Sequence, residues 1–299
     1  MPGDESATPG ASGRTPTNCG YLVTARLTRW SLCLAIASTM AAHAIRTYRG
    51  DGTAINAFLF LDLGWSNEAA ARFEYGGMAL VLVLTALGMR WPRWYLLAPA
   101  GLYVLAEYTL RTVVGGQPFS EWAPAAAALR FATPLVTPFL LLSLSSRAVA
   151  QETRDGSPDP SGAESLRASE RRLKFWAWWL RCAVAVVFLT HGFEALRHHP
   201  AFVDLVIGTG TRMFDVWFEE SVVTQVLGVI GIVDLFVAIG LLASPNRLVL
   251  GWAGCWGLVT ALSRITAYGW GAYPELLMRA THFLVPLALI LVYSRIKKL

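Results

Sequence analysis

Residues 27–144 and 176–293 are two versions of one hydrophobic unit, so the chain must fold as two like halves. Trp30 precedes His43 by 13 residues, and Trp178 precedes His191 by the same 13. Near the end of each unit, "RFATPLVTPFLLLS" from Arg130 answers "RATHFLVPLALILVYS" from Arg279. The separation from histidine to arginine is 87 residues in the first copy and 88 in the second. A duplicated apolar unit with histidine and arginine at fixed places points to a membrane scaffold holding a polar site.

Composition supports a membrane chain. Hydrophobic residues make up 55% of the sequence and charged residues only 15%, against roughly 25% charge in soluble domains. Apolar stretches near 27–45, 73–90, 94–113, 122–144, 175–196, 222–243, 246–267 and 276–294 approach the roughly 20 residues a helix needs to cross a bilayer. The expected fold is therefore all-α: a polytopic membrane protein with eight transmembrane helices in two parallel four-helix repeats. The expected divisions are a disordered tail (1–20, rich in Pro, Gly, Ser and Thr), a first repeat (21–145), a polar linker (146–174) and a second repeat (175–299). The linker's tail, "SLRASERRLKFW", is expected to begin a surface helix with Ser165 as its cap.

Basic residues set the orientation. Arg26 and Arg29, Arg90 and Arg93, Arg171, Arg172 and Lys174, Arg247, and Arg295, Lys297 and Lys298 all fall on one side of eight alternating spans. By the positive-inside rule that side is cytoplasmic, with both termini there and the chain in the cell's inner (plasma) membrane. The first span is expected to serve as an uncleaved signal-anchor. The excess of positive charge then reflects topology. No soluble face interleaves basic and aromatic residues, which argues against a nucleic-acid partner and leaves the lipid bilayer as the first one. Cys19, Cys33, Cys182 and Cys255 form no CxxC pair, and they read as small membrane-embedded residues.

Ionisable residues inside spans are costly unless paired or wetted. His43 and His191 lie near the outer ends of spans one and five, Arg130 and Arg279 in the outer parts of spans four and eight, and His282 one turn deeper. Glu107 and Arg111 have the i,i+4 spacing of an ion pair in span three, Arg264 is the basic residue of span seven, and Asp234 sits mid-way along span six. Each has a structural alternative: the arginines can snorkel to lipid phosphate, the histidines can bond backbone, and Glu107–Arg111 can simply fix a helix. A mid-span carboxylate such as Asp234 is the hardest to explain that way.

The second repeat resembles the DoxX-like membrane family. "FLTHGFEALRHHPAFVDLVIGTG" carries its His-Gly pair, Gly231 and Asp234 its G-x-x-[DE] stretch, Arg264 its basic residue at the end of the third helix, and "LMRATHFLVPLALIL" its last helix. The likeness covers about 120 residues well. In the first repeat Ala44 follows His43, Leu82 falls near the position of Asp234, and Thr133 stands opposite His282. Members resemble the small membrane subunit of thiosulfate:quinone oxidoreductase. The resemblance implies a quinone-interacting, redox-associated subunit with a soluble redox partner, and site residues His191, Asp234, Arg264, Arg279 and His282. A histidine beside a carboxylate suits proton transfer to quinone, and arginine suits an oxyanion or a reduced quinone. Two other classes stay open at this stage: a haem-binding subunit with His191 and His282 as axial ligands, and a non-enzymatic carrier or assembly partner.

Overall fold

A computed structural model describes residues 16–115, 121–156 and 160–296. Among the described residues the chain is all-helical, with no strand. The element order runs through the same cycle twice. The first pass is α1 (Pro16–Arg49), a short α2 (Ala54–Ala57), α3 (Asn67–Arg90), α4 (Trp94–Val114), a short α5 (Ala123–Ala126) and α6 (Ala128–Gly156). The second is α7 (Pro160–Leu196), α8 (Pro200–Phe214), α9 (Glu220–Ala243), α10 (Arg247–Tyr268), a short α11 (Tyr273–Met278) and α12 (Ala280–Ile296). The long α4 and α10 both stop at a glycine with positive φ, Gly115 and Gly269. A glycine reaches that left-handed region without the clash that a Cβ would bring.

The first and last long helices of each half pack together at the centre: α6 on α7, α1 on α12, and α12 on α7. The largest core cluster lies there, around Leu32, Leu140, Leu180, Val285 and Leu289. The pairs α3/α4 and α9/α10 flank it. Their outward faces are apolar, with Leu80, Val83, Phe236, Ile239 and Leu262 exposed. Contiguous exposed apolar surface of this kind marks contact with lipid or protein.

Helices occupy all eight expected stretches, but they differ in apolarity. Five are long and apolar enough to cross a membrane: Asn67–Arg90, Ala128–Ala150, Ala163–Leu196, Glu220–Ala243 and Arg247–Tyr268. The pair Trp270–Met278 and Ala280–Ile296, bent by 40°, makes a sixth if counted as one span. Helices α1 and α4 fall short. Helix α1 carries Arg26, Arg29, Ser31, Ser38 and Thr39, and α4 carries Glu107 and Arg111.

One local expectation is corrected. Helix α7 begins at Pro160, so Ser165 lies inside it and caps nothing. The linker is largely helical, because α6 continues to Gly156; residues 157–159 lie outside the described residues. Of the tail expected to be disordered, residues 1–15 also lie outside them, and α1 begins at Pro16.

Basic residues gather at one end of the bundle. Arg29 donates to the carbonyls of Met89 at 2.9 Å and Arg90 at 3.0 Å, closing α1 on the α3 C-terminus. Arg295 donates to Thr24 Oγ1 at 2.7 Å and to the Gly20 carbonyl, and Arg147 donates to the Arg295 carbonyl at 3.3 Å. The polar side chains of both halves lie toward the opposite end.

Candidate functional site

Three glycines decide where the second-half polar residues meet. A Cβ on Gly192 would lie 3.0 Å from the Gly231 carbonyl, and one on Gly231 would lie 2.8 Å from the Gly192 carbonyl. Helices α7 and α9 therefore cross backbone to backbone, the packing that small residues permit inside membranes. That crossing sets Asp234, one turn past Gly231, beside the His191 turn. At Gly257 a Cβ would stand 2.4 Å from the His282 carbonyl, so α10 and α12 are equally close.

One cavity of about 270 Å³ results, and His191, Asp234, Arg264, Arg279 and His282 all line it. Asp234 and His282 are each 4% exposed, Arg264 7% and Arg279 8%; His191 is half-buried. The His191 and His282 rings lie parallel, 6° between planes, with centroids 6.0 Å apart. His282 Nδ1 is 3.2 Å from the Arg279 carbonyl. That contact places the neutral ring's proton on Nδ1 and leaves Nε2 as an acceptor, buried and without a hydrogen-bond partner. Trp256 lines the cavity together with Asp234, whose Oδ1 is also buried and unpartnered. Arg264 Nε is in the same state. Buried polar atoms are normally satisfied, so three orphans converging on one cavity mark a place built for a polar group.

The remaining walls are apolar. Phe202, Leu205, Phe214, Phe218, Leu227 and Ile230 line the same space. Several of them come from α8, which lies between the fifth and sixth expected spans. It is a helix because Pro200 sits in its first turn and His199 caps it, accepting from the Ala201 N–H at 3.2 Å. It folds onto α10 through the Thr209–Thr266 hydroxyl pair at 3.0 Å and the contact of Gly208 with Ala267.

The first half is built differently. His43 is 2% exposed and packs edge-on against Tyr103 and Tyr108, at 5.6 and 6.1 Å. It lines neither this cavity nor the second one described next. Glu107 holds Arg111 at 3.1 Å and also accepts the Ile55 N–H at 3.2 Å, fixing α2 on α4. Arg130 donates to the Tyr108 hydroxyl.

A second cavity of about 260 Å³ lies where the halves meet, lined by Arg46, Arg111, Arg130, Arg264, Arg279 and Glu275, with Tyr108, Tyr268 and His191. His191, Phe202, Arg264 and Arg279 form the wall it shares with the first. Glu275 bonds Arg279 at 2.8 Å and lies 3.9 Å from Arg46, joining the halves. Sequence reasoning missed Arg46, Glu275 and Glu194. Glu275 was within reach, since it precedes Arg279 by four residues, the spacing that revealed Glu107–Arg111. Glu194, one turn beyond His191, has both carboxylate oxygens buried without partners.

No protein-family model, curated protein or solved structure matches this chain. The ligand class must come from the cavity. At about 270 Å³ the first cavity lies just under the roughly 300–1,000 Å³ usual for small-ligand sites. That size suits a single ring better than a porphyrin, which weighs against the haem alternative. No group of three or more His, Cys, Asp or Glu able to hold a metal ion occurs among the described residues.

Proposed function

We propose that this chain is an integral membrane, quinone-interacting module of DoxX-like type, with eight membrane-crossing helices in two parallel four-helix units and both termini cytoplasmic. The observation that carries the proposal is the second-half cavity, apolar along one flank and ending in unpartnered buried His282, Asp234 and Arg264. A quinone has that division: a flat apolar body with carbonyl oxygens that accept hydrogen bonds and, once reduced, hydroxyl groups that donate them. Arg264 and Arg279 donate to a carbonyl oxygen or a reduced quinone's oxygen. Neutral His282 takes a hydroxyl proton at Nε2 and, once protonated, returns it. Asp234 is the carboxyl on the same wall. None of these side chains is a redox centre, so the electrons come from a soluble redox partner.

Saturable binding of a short-tailed quinone by the detergent-solubilised protein tests this. Ile230→Trp fills the apolar flank and should weaken binding by about tenfold, about 1.4 kcal/mol. Equal, non-saturating uptake by both proteins would refute the site.

A specific feature favours a second reading, a small-solute carrier. Both halves break the last helix at the same place, α5 before α6 and α11 before α12, and the second break bends by 40°. Matched discontinuous helices are a carrier trait. Flux of solute into sealed vesicles, without quinone binding, would establish that alternative.

A further inference from the structure

The cavity between the halves differs in character from the quinone-type cavity. Five guanidiniums reach it, and only two carboxylates answer them: Glu275, on Arg279 and Arg46, and Glu107, on Arg111. Arg130 and Arg264 form no salt bridge with a carboxylate among the described residues; Glu194, outside the chamber lining, interacts with Arg264 and Arg279 at longer range. Arg130 and Arg264 are both more than nine-tenths buried, at 6% and 7% exposure, and each has an unpartnered Nε. With three positive charges in excess, Arg130, Arg264 and Arg279 repel one another in a region poor in water. Burying them together is costly unless an anion joins them.

Helix ends act on that charge in both directions: two N-termini add to it, and the C-termini of α1, α4 and α10, beside Arg46, Arg111 and Arg264, offset part of it. Helix α6, 29 residues long, and helix α12, 17 residues long, both begin beside the chamber, at Ala128 and Ala280. Their N-termini bring the positive ends of two helix dipoles to it, one from each half. The arginines also sit near helix ends. Arg46 is close to the end of α1, Arg111 to that of α4 and Arg264 to that of α10. In a bilayer this is headgroup depth, at the end of the bundle away from the basic cluster.

We propose that the chamber between the two halves is a receptor for a dianionic phosphate, free in solution or carried as the terminal monoester of a lipid headgroup. Guanidinium forks match tetrahedral oxyanions with paired hydrogen bonds, and a dianion answers most of the three-charge excess. The Tyr108 hydroxyl and the Arg130 guanidinium, already bonded to each other, form the first-half wall. Arg264 and Arg279 form the second-half wall, so the occupant ties the halves together.

Thermal melting of the full-length protein tests the proposal in two arms. In neutral detergent, inorganic phosphate is added against chloride at matched ionic strength. In bilayer nanodiscs, phosphatidylcholine alone is compared with phosphatidylcholine containing phosphatidic acid. At least one arm should raise the wild-type midpoint by about 5 °C near saturation. A response to inorganic phosphate identifies a free ligand, one to phosphatidic acid identifies a lipid headgroup, and both together mean that either source is accepted. Arg130→Gln should abolish the shift, and Arg130→Lys should keep part of it. If Arg130→Gln fails to fold, Arg46→Gln, from the half-buried rim, should reduce the shift by half or more. No shift in either arm, the same shift with chloride, or a full shift in the folded charge-removal variants would overturn the proposal. Neither Arg130 nor Arg46 lines the second-half cavity, so such failure leaves the quinone assignment standing.

Discussion

His43 and His191 are counterparts in the two repeats, and the His191 ring stacks parallel on His282, so the second-half pair meets surroundings opposite to those of His43. The His43 ring is enclosed by Tyr103 and Tyr108, whereas His282 shares a cavity with His191, Asp234, Arg264 and Arg279. His282→Asn removes one neutral hydrogen bond to a bound quinone, worth about 0.5–1.5 kcal/mol, and should weaken binding about three- to tenfold. His43→Asn should leave quinone affinity within about twofold, since a packed core residue acts on stability first. Titration of both variants with the short-tailed quinone measures this, and equal losses would contradict the asymmetry. Much of this site is legible in the sequence, because a charged or imidazole side chain inside an apolar run must be explained. Arg46 and Glu194 are not, because they lie near the ends of their helices, where a charge needs no special cause. Their importance comes from which helices face them, and that depends on packing between halves. Phe202 and Leu205 are hidden for a related reason: an apolar residue in a short polar-flanked segment carries no sign of folding inward.

At the scale of helices, close crossings at glycine hold the cavity in shape. Gly257→Ala would put a methyl group 2.4 Å from the His282 carbonyl, on backbone that cannot yield cheaply. Overpacking of this kind costs about 1–3 kcal/mol, so the melting midpoint should fall and quinone binding with it as α10 moves off α12. Gly228→Ala is the matched control on α9, where a Cβ meets nothing within 4 Å. It should leave the midpoint unchanged or slightly raised, since alanine favours helix. A fall as large as that of Gly257→Ala would mean that close approach to a neighbouring backbone does not set the cost at these positions. The long helices are well marked in the sequence by their apolar lengths. The shorter ones are not, because α8 takes its helical form from a proline-led first turn and from docking on α10. The start of α7 is misjudged for the opposite reason, as polar composition conceals a helix that simply continues into the linker.

For the whole molecule, the duplicated element order and the basic residues gathered at one end support two parallel halves. The proposed four spans in each half put residue 160 and the C-terminus on one side, so reporter fusions at both should report cytoplasm; an external position for either would break the topology. Helices α1 and α4 are the two whose polarity argues against simple lipid exposure. Helix α1 packs against α12, α6 and α3, and α4 against α6 and α3, so protein surrounds much of each. The central claim is that the second half holds a quinone. Organic extraction of protein purified from quinone-containing membranes, with the extract measured against co-purified lipid, tests it most directly. The wild type should carry stoichiometric quinone and the Arg264→Gln, His282→Asn double variant far less. Quinone no greater than its share of the co-purified lipid, and unchanged in the variant, would contradict the claim.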